Sequence, residues 1–301
     1  MSEFRIPVGE WVEAAVDYIQ LHFVDLLDAI AAGIAFIVDS FEAGLLAIPP
    51  LLLASFIVVL AWWRVSWRFA VFAVLALVLI FGMDIWQETV STLSLVIGAS
   101  LVALIIGIPL GVIMARSDRM EVIMRPLLDL MQTMPPFVYL IPAAIFFGLG
   151  TVPGTIATLI FAMPPAVRLT NLGIRQVSQE HIEAGLAFGC TNRQLLYKVQ
   201  LPLAMPSIMA GVNQTIMLAL SMVVIASMIG AGGLGNTVLT GIQRLNVGLG
   251  FEGGLGVVLL AILLDRITQS FGQSHRGATQ EAGLLARLRD FFFQGKTGDK
   301  P

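Results

Sequence analysis

The sequence predicts an all-α protein, a polytopic membrane helix bundle of about seven transmembrane helices. Three observations carry that prediction. Hydrophobic residues make up 57% of the 301 positions and charged ones 12%, about half the charged share of roughly 25% in soluble domains. Several apolar runs approach the roughly 20 residues a helix needs to cross hydrocarbon. The cations gather in a few of the segments between those runs. The net charge of −3 therefore says less than where the charges sit. A single cysteine, Cys190, excludes an internal disulfide, and no Cys/His set has metal-site spacing.

Residues 1–41 read as an N-terminal amphipathic segment. Trp11, Ala14, Ala15, Tyr18, Ile19, Phe23, Leu26 and Leu27 fall on one helical face, with Glu13, Asp17, Asp25 and Asp28 largely outside it. Such a helix either lies on a membrane or packs on the protein itself, and its acidity argues against attraction to an anionic leaflet. No basic start precedes a compact apolar core, so no cleavable signal peptide is expected.

The spans are placed at 43–63, 67–85, 89–115, 126–149, 153–172, 206–230 and 253–271. An odd number of crossings puts the termini on opposite sides, and the arginines set the direction. Arg64, Arg68, Arg116, Arg119, Arg125, Arg168, Arg175, Arg193, Lys198, Arg266, Arg276, Arg287 and Arg289 share one side, with only Arg5 and Arg244 on the other. The positive-inside rule makes that side cytoplasmic and the N-terminus extracytoplasmic.

Within the spans, Gly107 and Gly111 flank Pro109 as a small-residue packing face. Pro135, Pro136, Pro142, Pro164 and Pro165 read either as ordinary kinks or as an irregular wall beside a pathway. Gln132 and Thr133, with Phe137 and Tyr139 after them, and Asn213, Gln214 and Thr215 are candidates to line a route for a polar solute. The polar ones serve equally well as interhelical ties, each worth about 0.6 kcal/mol on average. Asp129, one turn after Arg125, is expected to pair with it. No histidine lies mid-span, so a proton relay has little to work with.

The polar stretch from Arg168 to Pro206 separates two spans and reads as two short helices. Ser178 is placed to cap the first, which carries Ile182, Leu186 and Ala187 on an apolar face and stops at Gly189. Thr191 caps the second, with Gln194 completing a capping box, and Leu201-Pro202 is expected to end it.

Two glycine patterns carry no nucleotide chemistry. Gly230-Ala231-Gly232-Gly233-Leu234-Gly235 has dinucleotide-binding spacing but follows a long apolar span instead of a strand, and reads as a break. Gly295-Lys296-Thr297 lacks the first glycine of a phosphate loop and a following helix.

The spacing of Glu183-Ala184-Gly185, Gly189 and Val199-Gln200-Leu201-Pro202 resembles the "EAA" loop of ABC importer permeases, with Gly185 for the usual Ala and Val199 for the usual Ile. Asp129 to Pro142, Phe161 to Thr170 and Leu201 to Met228 resemble the permease subunit of glycine betaine/proline betaine importers, a likeness running from about residue 85 to 275. That resemblance implies a type I ABC importer permease fold. Two accessory spans over 42–85 would precede a five-helix core over 86–275, with a coupling loop at 173–205 and a cytoplasmic tail at 276–301. It implies a homodimer, two cytoplasmic ATP-binding subunits, an extracytoplasmic substrate-binding protein and a bacterial inner membrane. ATP would be bound by the partner subunits, with no cofactor in this chain, no catalytic role and no nucleic acid. Glu183, Ala184, Gly185, Gly189, Leu201 and Pro202 would carry the coupling to the ATPase.

The expected function is import of glycine betaine or a related quaternary-ammonium osmoprotectant by alternating access. A sodium-coupled secondary transporter of a small polar solute is the alternative; it would show inverted repeats. A membrane enzyme ranks below both, since no nucleophile–base pair or metal set is apparent.

Overall fold

The computed structural model describes residues 7–272. Arg5, Arg276, Arg287, Arg289, the Gly295-Lys296-Thr297 pattern and the tail lie outside them. The described residues form thirteen α-helices and one π turn: α1 (Val8–His22), α2 (Val24–Ala47), α3 (Pro50–Arg64), α4 (Trp67–Gly82), α5 (Trp86–Arg116), α6 (Asp118–Thr133), α7 (Phe137–Phe147), α8 (Thr151–Arg175), α9 (Gln179–Ala187), α10 (Asn192–Leu195), the π turn Leu196–Gln200, α11 (Leu201–Ser227), α12 (Gly233–Gln243) and α13 (Val247–Gly272).

Among them five helical stretches are long and apolar enough to cross a membrane, or six if the bent pair α6–α7 is one span; α3 and α4 are apolar but shorter. The helices α5, α8 and α11 form the centre, with α8 touching both others along its length. Lipid offers no hydrophobic drive for helices to associate, so close fit has to do the work. Small residues supply it. A Cβ at Gly111 would stand 2.6 Å from both the Val167 carbonyl and Thr170 Cβ, and one at Gly107 would stand 3.0 Å from Ala166 Cβ. The Gly107/Gly111 face therefore lies on α8, and the two backbones approach as only glycine allows.

Several sequence-based boundaries move. The amphipathic segment expected over 1–41 is divided at Phe23, and its second helix, α2, runs on to Ala47, where Pro49-Pro50 starts a new helix. The span expected at 43–63 is thus α3 plus the last turn of α2. Contacts of α2 run across α7, α8 and α5. Before its start, Gln20 donates to the Ile145 carbonyl near the end of α7, and near its end Ser91 donates to Glu42. The span expected at 126–149 is broken by a 97° bend between α6 and α7 at Pro135-Pro136. Tyr139 spans that break, its hydroxyl 2.9 Å from the carbonyls of Met131 and Met134. Pro164 and Pro165, by contrast, are buried inside an uninterrupted α8.

Arg64 closes α3 onto the end of α13. Its guanidinium lies 4.1 Å from the Phe271 ring centroid and 3.4 Å from the Ser270 carbonyl. The glycine-rich stretch after α11 is a break, with Gly230, Gly232 and Gly233 all at positive φ. Thr92 of α5 caps the start of α12, its Oγ1 accepting from the Leu234 N–H at 2.8 Å.

Candidate functional site

The loop between α8 and α11 is built by local rules. The first helix ends in a Schellman arrangement: Gly189 N–H donates to the Leu186 carbonyl at 2.9 Å and Cys190 N–H to the Gly185 carbonyl at 3.0 Å. Gly189 takes φ +79°, as that closure requires. Ser178 is the N-cap residue of α9 but makes no capping bond; its hydroxyl meets His181 Nδ1 at 2.5 Å instead. Thr191 and Gln194 form both halves of the capping box of α10.

Leu201-Pro202 does not end this helix. The chain stays helical from Asn192 to Ser227. The π turn Leu196–Gln200 directly precedes Leu201-Pro202, and its wider ring makes room where proline removes a donor and crowds the preceding turn. The loop's second helix and the following span are one rod.

Of the loop residues, Glu183 and Ala184 are not buried, while Gly185 is. A Cβ at Gly185 would stand 2.7 Å from Leu195 Cδ1 and 3.6 Å from Val199 Cγ2, so this glycine seats α9 on the second helix. The apolar tip faces outward, with Phe188 90% exposed and Leu186 half-exposed.

Behind the loop a polar cluster fixes the end of α8. Arg175 reaches Asp118 at 2.7 Å, Glu121 at 3.1 Å, the Met114 carbonyl at 2.9 Å and Asn171 Oδ1 at 3.1 Å. Asp129 is not the partner of Arg125, as the i,i+4 spacing suggested: Arg125 pairs with Glu121 at 2.9 Å and Asp129 with Arg168 at 2.5 Å. A carboxylate N-terminal to its cation is the favoured helical order, so Glu121 takes Arg125. A cavity of about 310 Å³ lies among Glu121, Arg125, Asp129, Arg168, Asn171 and Arg175.

The candidate pathway residues do not form one group. Thr133 and Gln214 are exposed and Phe137 is about half-exposed, with Gln132 between exposed and buried. Tyr139 and Thr215 are buried. Asn213 is bonded to Asp265 of α13, a carboxylate within a span that the sequence patterns do not single out.

The chain around this loop matches a known family. A family model described as the binding-protein-dependent transport system inner membrane component aligns with residues 107–276. The chain belongs to that family. It is 47% identical over 289 residues to the glycine betaine/proline betaine transport system permease protein ProW of Escherichia coli (strain K12), covering 94% of this chain and 82% of that one. It is 50% identical over 272 residues to the glycine betaine/carnitine transport permease protein GbuB of Listeria monocytogenes, covering 89% and 96%. Its fold matches an inward-facing MetNI methionine ABC transporter structure at a TM-score of 0.56 and 19% identity, over 60% of this chain and 91% of that one. The protein is thus a permease component of a binding-protein-dependent transporter and a translocation subunit instead of an enzyme. The sodium-coupled alternative finds no support in this family.

Proposed function

We propose that this permease imports glycine betaine or a related quaternary-ammonium osmoprotectant, as a homodimer served by two ATP-binding subunits and an extracytoplasmic binding protein. The observation that carries the coupling is the loop itself. It presents Glu183 and Leu186 of α9 and Phe188 just beyond it outward, Gly185 seats α9 on a rod that runs on to Ser227, and Gly189 turns the chain between the two. A partner that engages α9 therefore pushes directly on α11. The substrate reading is supported by the likeness to ProW and GbuB, both glycine betaine permeases by name.

In this reading the loop and the tail are cytoplasmic and the N-terminus is extracytoplasmic, in a bacterial inner membrane. The course of α2 supports the second point. Gln20, just before it, and Glu42, near its end, contact α7 and α5 at the ends that the arginine distribution places outside. Such a helix straps the outer half of the bundle without crossing it, for all its length. The division into an N-terminal segment, an accessory pair and a core from residue 86 belongs to the same proposal. Gln132, Thr133, Phe137 and Gln214 are the residues we assign to the pathway, with Tyr139, Asn213 and Thr215 holding its wall.

The test is reconstitution with the native ATP-binding subunits and binding protein, followed by uptake of labelled glycine betaine against choline, carnitine and proline betaine. ATP-dependent uptake with competition by quaternary ammonium compounds is expected. Purification of an active transporter without any ATP-binding subunit would overturn the reading.

A further inference from the structure

The cavity between α6 and α8 is lined by charge of both signs, and part of that charge is already committed. Arg175 gives its donors to Asp118, Glu121, the Met114 carbonyl and Asn171. Glu121 accepts on both of its oxygens, from Arg125 and Asn171 on one and from Arg175 on the other. The rest is only partly used. Among the described residues Arg125 spends one terminal nitrogen on Glu121, and Arg168 spends one on Asp129 Oδ1. A guanidinium carries five N–H donors and a carboxylate two acceptor oxygens. Arg125 and Arg168 therefore keep unspent donors, and Asp129 keeps its second oxygen. All three residues line the cavity, and the side chains of Arg168 and Asp129 are 40% and 54% exposed, so water reaches this part of it.

The remaining wall is apolar, formed by Met114, Leu128 and the half-exposed Leu172. The volume of about 310 Å³ lies at the low end of small-molecule sites, which run from roughly 300 to 1,000 Å³. An anion alone would be opposed by Asp129, and a cation alone by Arg125 and Arg168. A small molecule with both charges and apolar substituents suits the lining. Its carboxylate meets the guanidinium groups, while a methylated ammonium lies beside Asp129 and against Leu172. The cavity also shares a helix face with the pathway residues. Glu121, Arg125, Asp129 and Thr133 follow one another at i,i+4 on α6, and Gln132 comes three residues after Asp129, so one face carries all five. Arg168, Asn171, Leu172 and Arg175 share a face of α8 in the same way.

We propose that this cavity is a binding site for a small zwitterion carrying a quaternary ammonium and a carboxylate, the last station of the transported solute before the cytoplasm. The proposal rests on the import reading and on the arginine distribution that places this end of α8 inside. Arg125 and Arg168 hold the carboxylate, and Asp129 stands opposite the ammonium. Binding exchanges the Arg168–Asp129 bond for contacts of each partner with the solute. An exposed ion pair is worth little, so the solute displaces it at small cost and leaves as readily.

The test uses the permease with its ATP-binding subunits, nucleotide-free and without the binding protein, in a Cys190→Ser background with Leu172→Cys as reporter. The readout is the glycine betaine concentration that halves the rate of maleimide labelling at position 172. A value on the order of 1–10 mM is expected. Tetramethylammonium, acetate and inorganic phosphate, each with one sign of charge, should need at least about tenfold more. Arg168→Gln and, separately, Asp129→Asn should raise the betaine value about tenfold, whereas Arg168→Lys, which keeps the charge, should raise it less. A merely structural ion pair would alter the labelling rate without solute and leave the protecting concentration unchanged. Asp129→Asn carries the test should Arg168→Gln fail to insert. No protection by about 100 mM betaine, equal protection by any ion of one sign, or wild-type protection in either charge variant would overturn the site. Betaine uptake by the same complex, reconstituted with the binding protein, reads the import proposal separately. Uptake without protection overturns the site alone, and protection without uptake overturns import alone.

Discussion

Arg168 of α8 and Asp129 of α6 sit 2.5 Å apart, joining two helices, while both side chains remain well exposed. Arg175, seven residues on, is instead gathered in by two carboxylates, a side-chain oxygen and a backbone carbonyl. Exposed pairs contribute only about 0–1 kcal/mol, because water and salt screen them. Loss of the Arg175 guanidinium removes four charge-assisted contacts at once, although Glu121 keeps Arg125 and Asn171 and the Met114 carbonyl keeps the Ser117 N–H, and it costs about 1–3 kcal/mol. Arg175→Gln should therefore lower the thermal midpoint of the purified complex distinctly more than Asp129→Asn. Equal shifts, read by helix circular dichroism, would refute this ordering.

Gly189 has nothing within 4 Å of where a Cβ would lie, so its substitution is a matter of backbone strain alone. At φ +79° a residue with a Cβ costs about 1–2 kcal/mol, and a β-branched one more. Gly189→Val should insert normally yet lose most uptake per inserted permease and hold its ATP-binding subunits weakly, with Gly189→Ala milder. Uptake and subunit counts from one preparation decide it, and wild-type transport by Gly189→Val would remove the loop from the coupling path.

Gly111 is the opposite case, limited by space. A Cβ there meets the Val167 carbonyl and Thr170 at 2.6 Å, so α5 and α8 must part. Overpacking of this kind costs about 1–3 kcal/mol. Gly111→Ala should lower the yield of folded protein and its thermal midpoint, whereas Gly254→Ala, in open space, should do neither. The comparison of midpoints in one detergent checks both.

Orientation is open to chemical labelling. A cysteine introduced at Gly9 is expected to react with impermeant maleimide from outside intact spheroplasts, while Cys190 reacts only after permeabilisation. Reaction of Cys190 in intact cells would reverse the topology and separate the loop from any cytoplasmic partner.

How far the fold is legible in the sequence depends on the range of each interaction. The capping box of Thr191 and Gln194 and the left-handed Gly189 are decided within a few residues, and both are present as read. The glycine-rich break after α11 is equally local. Pro202 misleads because a proline's effect depends on the turn before it, and residue types alone do not signal the π turn there. The extent of α2 is hidden because acidic residues near its start mask an apolar run that continues to Ala47. Asp265 is invisible for another reason: its significance comes from Asn213, 52 positions away in sequence and adjacent only once α11 and α13 pack.

The uninterrupted helix from Asn192 to Ser227 has a mechanical consequence. At 1.5 Å per residue it is about 54 Å long, and α8 lies against it from Ala204, beside Gly173, to Ala226, beside Gly154. Only the stretch from Asn192 to Ala204 overhangs, an arm of about 18 Å. A load on that arm is carried into α8 and α11 together, as a beam clamped along most of its length carries a load on its free end.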